Sequence, residues 1–255
     1  MTKQLFHLIL FLLVYVSIPS TAMAQTVAIP DPNLRAAVET ALGKASGVPI
    51  TAVEMATLTR LEARKSGIQI LAGLEYATKL IVLDLGGNSI SDISPVAGLT
   101  NLTELWLWGN NISDISVVAG LTELQRLHLG GNNISDILPM IDLANLTQLW
   151  LWGNDISNIS VVVILTRLQW LHLGGNNISD ISPVAGLTDL TGLNLGGNNI
   201  SDISPVAGLT HLTWLGLNNN NISDILAVVG LANLRQLWLV GTSGSKSGIG
   251  GGRHC

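Results

Sequence analysis

The side chains in this sequence with the most chemistry to offer are seven tryptophans, five histidines and a recurring aspartate. His128 and His172 lie 44 residues apart among Trp106, Trp108, Trp150 and Trp152. A pair of histidines raises the question of a metal, but zinc takes three or four ligands at about 2 Å. Trp150 separates the two, and no third ligand lies near either. The aspartates at 92, 114, 136, 180, 202 and 224 could offer carboxylates to calcium, but their place ahead of a turn suits the capping of backbone N–H groups better. Serine, histidine and aspartate are all present, yet the serines and aspartates belong to repeating columns and no histidine is set to activate one particular serine. No phosphate loop, nucleophile elbow or pair of catalytic carboxylates can be read. The expectation is therefore no catalytic residue, no metal and no cofactor, which leaves the tryptophans as binding chemistry.

What positions them is a repeat. A leucine returns every 22 residues at 80, 102, 124, 146, 168, 190, 212 and 234, with no insertion or deletion. Each unit reads close to L-x-x-L-x-L-x-x-N-x-I-S-D-I-S-x-V-x-G-L-x-x, as in LTGLNLGGNNISDISPVAGLTH from Leu190 to His211. A fixed period of this length means units that bury their apolar side only by stacking on neighbours, an α/β repeat solenoid. The L-x-x-L-x-L segment alternates as a strand does, with positions 4 and 6 inward and positions 3, 5 and 7 on the solvent side of one long parallel sheet. The asparagines at 88, 110, 132, 154, 176, 198 and 220 fall where the chain leaves the strand, and their amides can satisfy backbone groups buried by that turn. Ser94-Pro95, Ser182-Pro183 and Ser204-Pro205 read as an N-cap and first helical position for short 3₁₀ turns on the opposite, convex side.

Leu58, 22 residues before Leu80, opens a degenerate first repeat, so the repeats are expected over 58–240. Ahead of it, 25–57 reads as a helical N-terminal cap over the apolar end of the stack. Asp31-Pro32 begins one helix, and Thr51 with Glu54 makes a capping box for a second. Residues 1–24 read as a signal peptide: Lys3, an apolar run from Leu5 to Ile18, and Ala22-Met23-Ala24 before cleavage at Gln25. That run is shorter than the roughly 20 residues of a membrane span, so the mature chain is expected to be secreted, periplasmic or at the cell surface. Loss of Lys3 takes the formal charge from −5 to −6, which disfavours nucleic acid. Residues 241–255 form a Gly/Ser-rich tail ending in Cys255, the sole cysteine, so no internal disulfide is expected.

These columns resemble the leucine-rich-repeat family, and within it the 22-residue class of the bacterial internalins. Gly67-Ile68 and Gly73-Leu74-Glu75-Tyr76 are similar to the junction between the internalin cap and its first coil. The resemblance implies a right-handed superhelix with a concave parallel sheet. It also implies recognition of a protein, commonly one on another cell's surface, through that sheet. The chain departs from the family pattern in showing no downstream Ig-like domain or wall-anchoring motif.

All seven tryptophans fall in the variable columns. Trp170 and Trp214 take position 3, Trp106, Trp150 and Trp238 position 5, and Trp108 and Trp152 position 7. Part of this is copying, since Trp106, Trp108 and His128 recur 44 residues on as Trp150, Trp152 and His172. Column 5 is expected to form an aromatic ridge of Trp106, His128, Trp150 and His172 on strands about 4.8 Å apart. Gly130, between Trp108 and Trp152, and Gly192, between Trp170 and Trp214, are expected to leave slots about 9.6 Å wide between backbones. On this reading the indoles stand open to solvent. A soluble protein seldom exposes such a patch without using it. The expected partner is a protein bound through these seven tryptophans with His128 and His172; a glycan-binding adhesin and a self-associating structural protein are the alternatives.

Overall fold

The computed structural model describes residues 25–241; the expected signal segment and the tail beyond Gly241 with Cys255 lie outside them. Nine short strands form one parallel sheet in chain order. They are β1 Arg60–Glu62, β2 Val82–Asp84, β3 Glu104–Trp106, β4 Arg126–His128, β5 Gln148–Trp150, β6 Trp170–His172, β7 Gly192–Asn194, β8 Trp214–Gly216 and β9 Gln236–Trp238. Because the 22-residue period never slips, neighbours pair in one register throughout, Leu61 to Leu83, Leu83 to Leu105 and on to Leu215 with Leu237. The α/β solenoid read from the repeat is the fold. 3₁₀ turns such as Ser94–Val96 and Ser116–Gly120 return the chain on the convex side.

Each coil closes around one apolar layer. Leu102, Leu105, Leu107, Ile112, Ile115, Val118 and Leu121 are all buried, and their equivalents above and below continue the same core. Full burial of one such side chain is worth about 1.5–3 kcal/mol, and here the burial is supplied almost wholly by the adjacent coils.

The buried asparagines bind those coils together. Asn110 Nδ2 donates to Leu107 O in its own coil at 3.0 Å and to Leu85 O in the preceding coil at 3.1 Å, while its Oδ1 accepts from Ile90 N at 3.0 Å. Asn132, Asn154, Asn176 and Asn198 repeat the pattern. Asn88, at the degenerate first repeat, instead accepts from both Ser66 N and Ile68 N.

The convex turn corrects one expectation. Ser94 and its equivalents are not N-caps; they sit inside the 3₁₀ turns, and the residue flanking each turn is an isoleucine without a side-chain cap. The aspartate two residues earlier does the capping. Asp92, Asp114, Asp180 and Asp202 each accept from the serine N–H at 2.8 Å, and Asn158 does so where the aspartate column lapses. A carboxylate reaches an N–H two residues on with little strain, as in Asx turns, and its charge strengthens the bond relative to a hydroxyl.

At the N-terminal end, α1 (Pro32–Ala41) and α2 (Ala52–Met55) lie over the first coil. Leu34, Val38 and Met55 cover its core together with Val27 and Ile29, from a segment that bridges antiparallel at Thr26–Thr51. Asp31 carries two jobs: Oδ1 accepts from Asn33 N and Leu34 N at the start of α1, and Oδ2 accepts from Gln69 N and Ile70 N of the first repeat. Burial alone would raise its pKa, but those four donors together outweigh it and hold it below the ordinary carboxylate value. Glu54 bonds Lys44 and the N–H and hydroxyl of Thr51, and in that order these contacts hold its pKa down to about 2.

Two predictions follow from the stack and its cap. Asn154→Ala strands backbone groups of two coils and should destabilise by about 1–3 kcal/mol in denaturant melts; an unchanged midpoint would show the ladder to be dispensable. Because Asp31 and Glu54 are depressed in the fold, their stabilisation is complete above the ordinary carboxylate values and is lost as pH falls below them, for Glu54 from about 4.5 towards about 2. Thermal melts of the wild type should show that acid loss, and it should shrink in Asp31→Asn and Glu54→Gln, which carry no titrating carboxyl. Equal acid sensitivity in all three would place the loss elsewhere.

Candidate binding face

Columns 3, 5 and 7 of the sheet face away from the core, and the strands hold them on a rigid frame. Five of the nine residues singled out form one cluster around His128. Its ring stacks on Trp150 at 5.3 Å and 17°, and tilts against Trp106 at 5.7 Å and Trp108 at 6.4 Å. Trp152 meets it edge-on at 6.1 Å. Trp106 and Trp150, two strands apart, lean across it until their ring centroids are 5.4 Å apart. Such separations are those of attractive aromatic pairs, each worth about 0.5–1.5 kcal/mol beyond buried area.

The ridge expected along column 5 ends at His172. That ring makes an edge contact with Trp152 at 6.4 Å, and its Nε2 lies 2.8 Å from Asn194 Nδ2. Trp170 and Trp214 form a separate stacked pair, 5.6 Å and 29° apart, on β6 and β8. Trp238, on β9, is 46% exposed and joins neither group.

The slots do not exist. Trp152 lies over Gly130, so that a Cβ there would collide with its indole nitrogen; Trp108 covers Gly86 in the same way, and the benzene-ring carbons of Trp170 cover Gly192 of the next coil. An indole laid on a glycine gains dispersion contacts across its whole face, whereas an open slot loses them. The glycines are therefore seats. Of the seven indoles, all but Trp238 are half-buried, correcting the expectation that they stand open. The signal was present in the pairing of glycine and tryptophan at the same repeat position one coil apart, Gly86 with Trp108, Gly130 with Trp152 and Gly192 with Trp170.

Charge on the face is confined to its N-terminal half and is paired there. Arg64 bonds Asp84 at 2.5 Å, Arg60 pairs with Glu62, and Arg126 pairs with Glu104, which also accepts from Trp106 Nε1 at 3.3 Å. Lys65 Nζ lies 5.8 Å from the Trp108 ring centroid, a cation–π distance. Asp84, Glu104 and Lys65 were not singled out from the sequence, because their column positions say which side they face and nothing of how far they reach. Burial, then the nearby His172, push the His128 pKa down to about 4, with Asp84 opposing; burial also lowers that of His172. Both rings are therefore neutral at neutral pH. Among the described residues, no group of three or more His, Cys, Asp or Glu side chains converges as a metal site would require.

A family model for leucine-rich repeats in two copies matches residues 78–120, 122–161 and 166–208. The chain is similar to internalin C2 of Listeria monocytogenes, with 38% identity, a TM-score of 0.81, and coverage of 86% of this chain and 99% of that one. It is also similar to an internalin (inlF) of the same organism, with 32% identity, a TM-score of 0.80, and coverage of 88% and 73%. A leucine-rich-repeat protein of Leptospira interrogans matches at 29% identity and a TM-score of 0.63 over 67% of this chain and 45% of its own. No curated protein sequence matches.

The seating of Trp152 can be tested directly. Trp152→Ala should cost about 1–2 kcal/mol, between a surface change and a core truncation. Gly130→Ala should displace the indole and change its emission while the repeat register is kept. A Gly130→Ala protein with native emission would mean that Trp152 does not lie there. His128, being depressed, contributes stability that is complete above its ordinary value of 6.5 and falls as pH drops towards about 4. Its ring proton resonances should titrate near the lower value.

Proposed function

The chain belongs to the leucine-rich-repeat family, in its bacterial internalin-like branch, and from that premise we propose that it is an exported, non-enzymatic recognition module that binds a protein partner through its concave face. The observation that carries the reading is the block of four indoles packed around His128 on one continuous parallel sheet. Trp106, Trp108, His128, Trp150 and Trp152 are its anchor. His172, Trp170, Trp214 and Trp238 extend the contact along the solenoid. Aromatic residues serve as anchors because they bury a large area with few rotors to immobilise, and here much of that immobilisation is already done by stacking.

Export rests on the pattern of Lys3, Leu5 to Ile18 and Ala22-Met23-Ala24, with cleavage after Ala24. Among the described residues no helix is long and apolar enough to cross a membrane. A partner on another cell's surface fits an exported chain of this family.

The test is a partner captured from a surface extract by the wild type and measured against variants. Trp150→Ala and Trp152→Ala should each weaken binding by at least about 2 kcal/mol, as hot-spot truncations do, while still melting cooperatively. Since the charges on this face are already paired, the association rate should change by less than about threefold between low and physiological salt. Variants that fold and bind the partner as the wild type does would overturn the reading.

A further inference from the structure

The convex side has a chemistry of its own. From the isoleucine after each asparagine turn to the leucine that closes the coil, the segments 90–99, 112–121, 134–143, 156–165, 178–187, 200–209 and 222–231 hold seven aspartates and no lysine, arginine or histidine. The nearest cation in sequence, Arg167, donates to Asn145. Among the described residues the ion pairs lie on the sheet face or in the cap, so the convex carboxylates have no counter-ion within the chain.

On that acidic side two adjacent coils break the pattern. Where the coil after them carries Ser182, Ala185 and Gly186, the turns Leu138–Asp142 and Ser160–Ile164 put Leu138, Ile141, Val163 and Ile164 into the same columns. Ile164 stands in a column that points outward: a Cβ on its equivalents Gly98, Gly186 or Gly208 would meet nothing within 4 Å. Leu138 and Ile141, three apart in a 3₁₀ turn, share one face. The four aliphatic side chains are 37–58% exposed, and beside them the aspartate column lapses to Asn158. Leu226 and Val229 are exposed as well, but on the last coil described. In mid-stack the fold does not ask for these four, since each coil closes around Met140 or Val162 whatever residue points outward.

We propose that Leu138, Ile141, Val163 and Ile164 form a docking site for a cationic amphipathic helix of a partner protein, on the side of the solenoid opposite the aromatic cluster. Aliphatic side chains offer no hydrogen bonds, so backbone laid on them has to be bonded within the ligand. An α-helix meets that demand and presents apolar residues at i, i+3, i+4 and i+7. Charge complementarity sets the rest of the ligand. Asp136 and Asp142 stand on the first of the two coils and Asp180 on the coil after the second. Lysines or arginines flanking the apolar stripe would meet these carboxylates, whereas an anionic membrane surface would be repelled. A second copy of this side would bring aspartates against aspartates. The site goes beyond the concave-face reading and does not rest on it.

The full chain is titrated with a fluorescein-labelled helical peptide of about 14 residues, built from leucine and lysine with the leucines at that spacing, and anisotropy is followed. A scrambled peptide of the same composition and a glutamate-for-lysine counterpart are the controls. The ordered cationic peptide should bind with a Kd below about 100 μM, and both controls at least about tenfold more weakly. Val163→Ala with Ile164→Gly gives this coil the residues that Ala185 and Gly186 supply in the next, so the stack is kept while binding should weaken at least about tenfold. Asp136→Asn with Asp180→Asn keeps the turn caps, as Asn158 does for Ser160, and should weaken binding at least about threefold at low salt and less at high salt. Trp150→Ala should leave it within about twofold. The site is overturned by no binding at about 1 mM peptide, by equal binding of the scrambled peptide, or by unchanged affinity in Val163→Ala with Ile164→Gly. It is equally overturned by a matching loss in Trp150→Ala, or by a wild-type dimer in sedimentation that the Val163→Ala, Ile164→Gly protein loses, which would give the patch to a second copy. Failure here leaves capture through Trp150 and Trp152 untouched, and failure there leaves this site standing.

Discussion

No coil of this protein can bury its leucines alone, and the interaction that makes stacking possible is the amide of a buried asparagine. A turn out of a strand leaves backbone carbonyl and N–H groups pointing into an apolar layer, where an unmade hydrogen bond costs about 1–3 kcal/mol. Asn154 donates to its own coil and to the one before, and accepts from that coil's Ile134. The same side chain therefore satisfies the turn and fixes the distance between coils. An aspartate would bring a charge that burial penalises, and a serine would lack the second donor and the reach. The asparagine therefore has to return at the same place after the strand in every coil, as Asn110, Asn132 and Asn154 do.

That constraint also decides where the protein can vary. With the leucine, isoleucine and asparagine columns committed to the stack, columns 3, 5 and 7 are the strand positions free to carry recognition, and even there the tryptophans are not independent. An indole at position 7 needs a glycine at position 7 of the preceding coil, as Trp108 has in Gly86 and Trp152 has in Gly130. A change in one coil is thus coupled to the next, and duplication of a two-coil unit, which the recurrence of Trp106, Trp108 and His128 as Trp150, Trp152 and His172 records, copies the seat with the ring.

The columns were legible because a period of two along a strand and of 22 along the chain assign each position to a side without reference to atoms. Leu105, Asn110 and Trp106 could be placed inside, at the turn and outside from spacing alone. The dual role of Asp31, the packing of Val27 and Ile29 under the cap, and the collapse of the slots at Gly130 and Gly192 could not. Each depends on how far a side chain tilts or on which non-repeating segment it meets. Capping by the aspartate column was legible, because Asp92 and its equivalents stand just ahead of the turn whose N–H they accept. What spacing missed was the place of Ser94, which lies inside the 3₁₀ turn and donates its N–H to Asp92 instead of capping the turn itself.

The packing of the candidate site bears on how it would bind. Ordering a free side chain at an interface costs binding energy, though less for an aromatic with few rotors than for a long flexible chain. Trp106, Trp108, Trp150 and Trp152 are already held, by His128 between them and by glycine seats beneath two of them, so most of that cost is met in folding. Burial keeps His128 neutral at neutral pH, and the charges at the cluster's edge are paired, so long-range attraction contributes little. What remains to discriminate partners is fit against a preformed surface. A neutral imidazole at the centre strengthens that argument: a charged one would demand water or a counterion in the same place, and either would break up the contiguous aromatic area on which the fit depends.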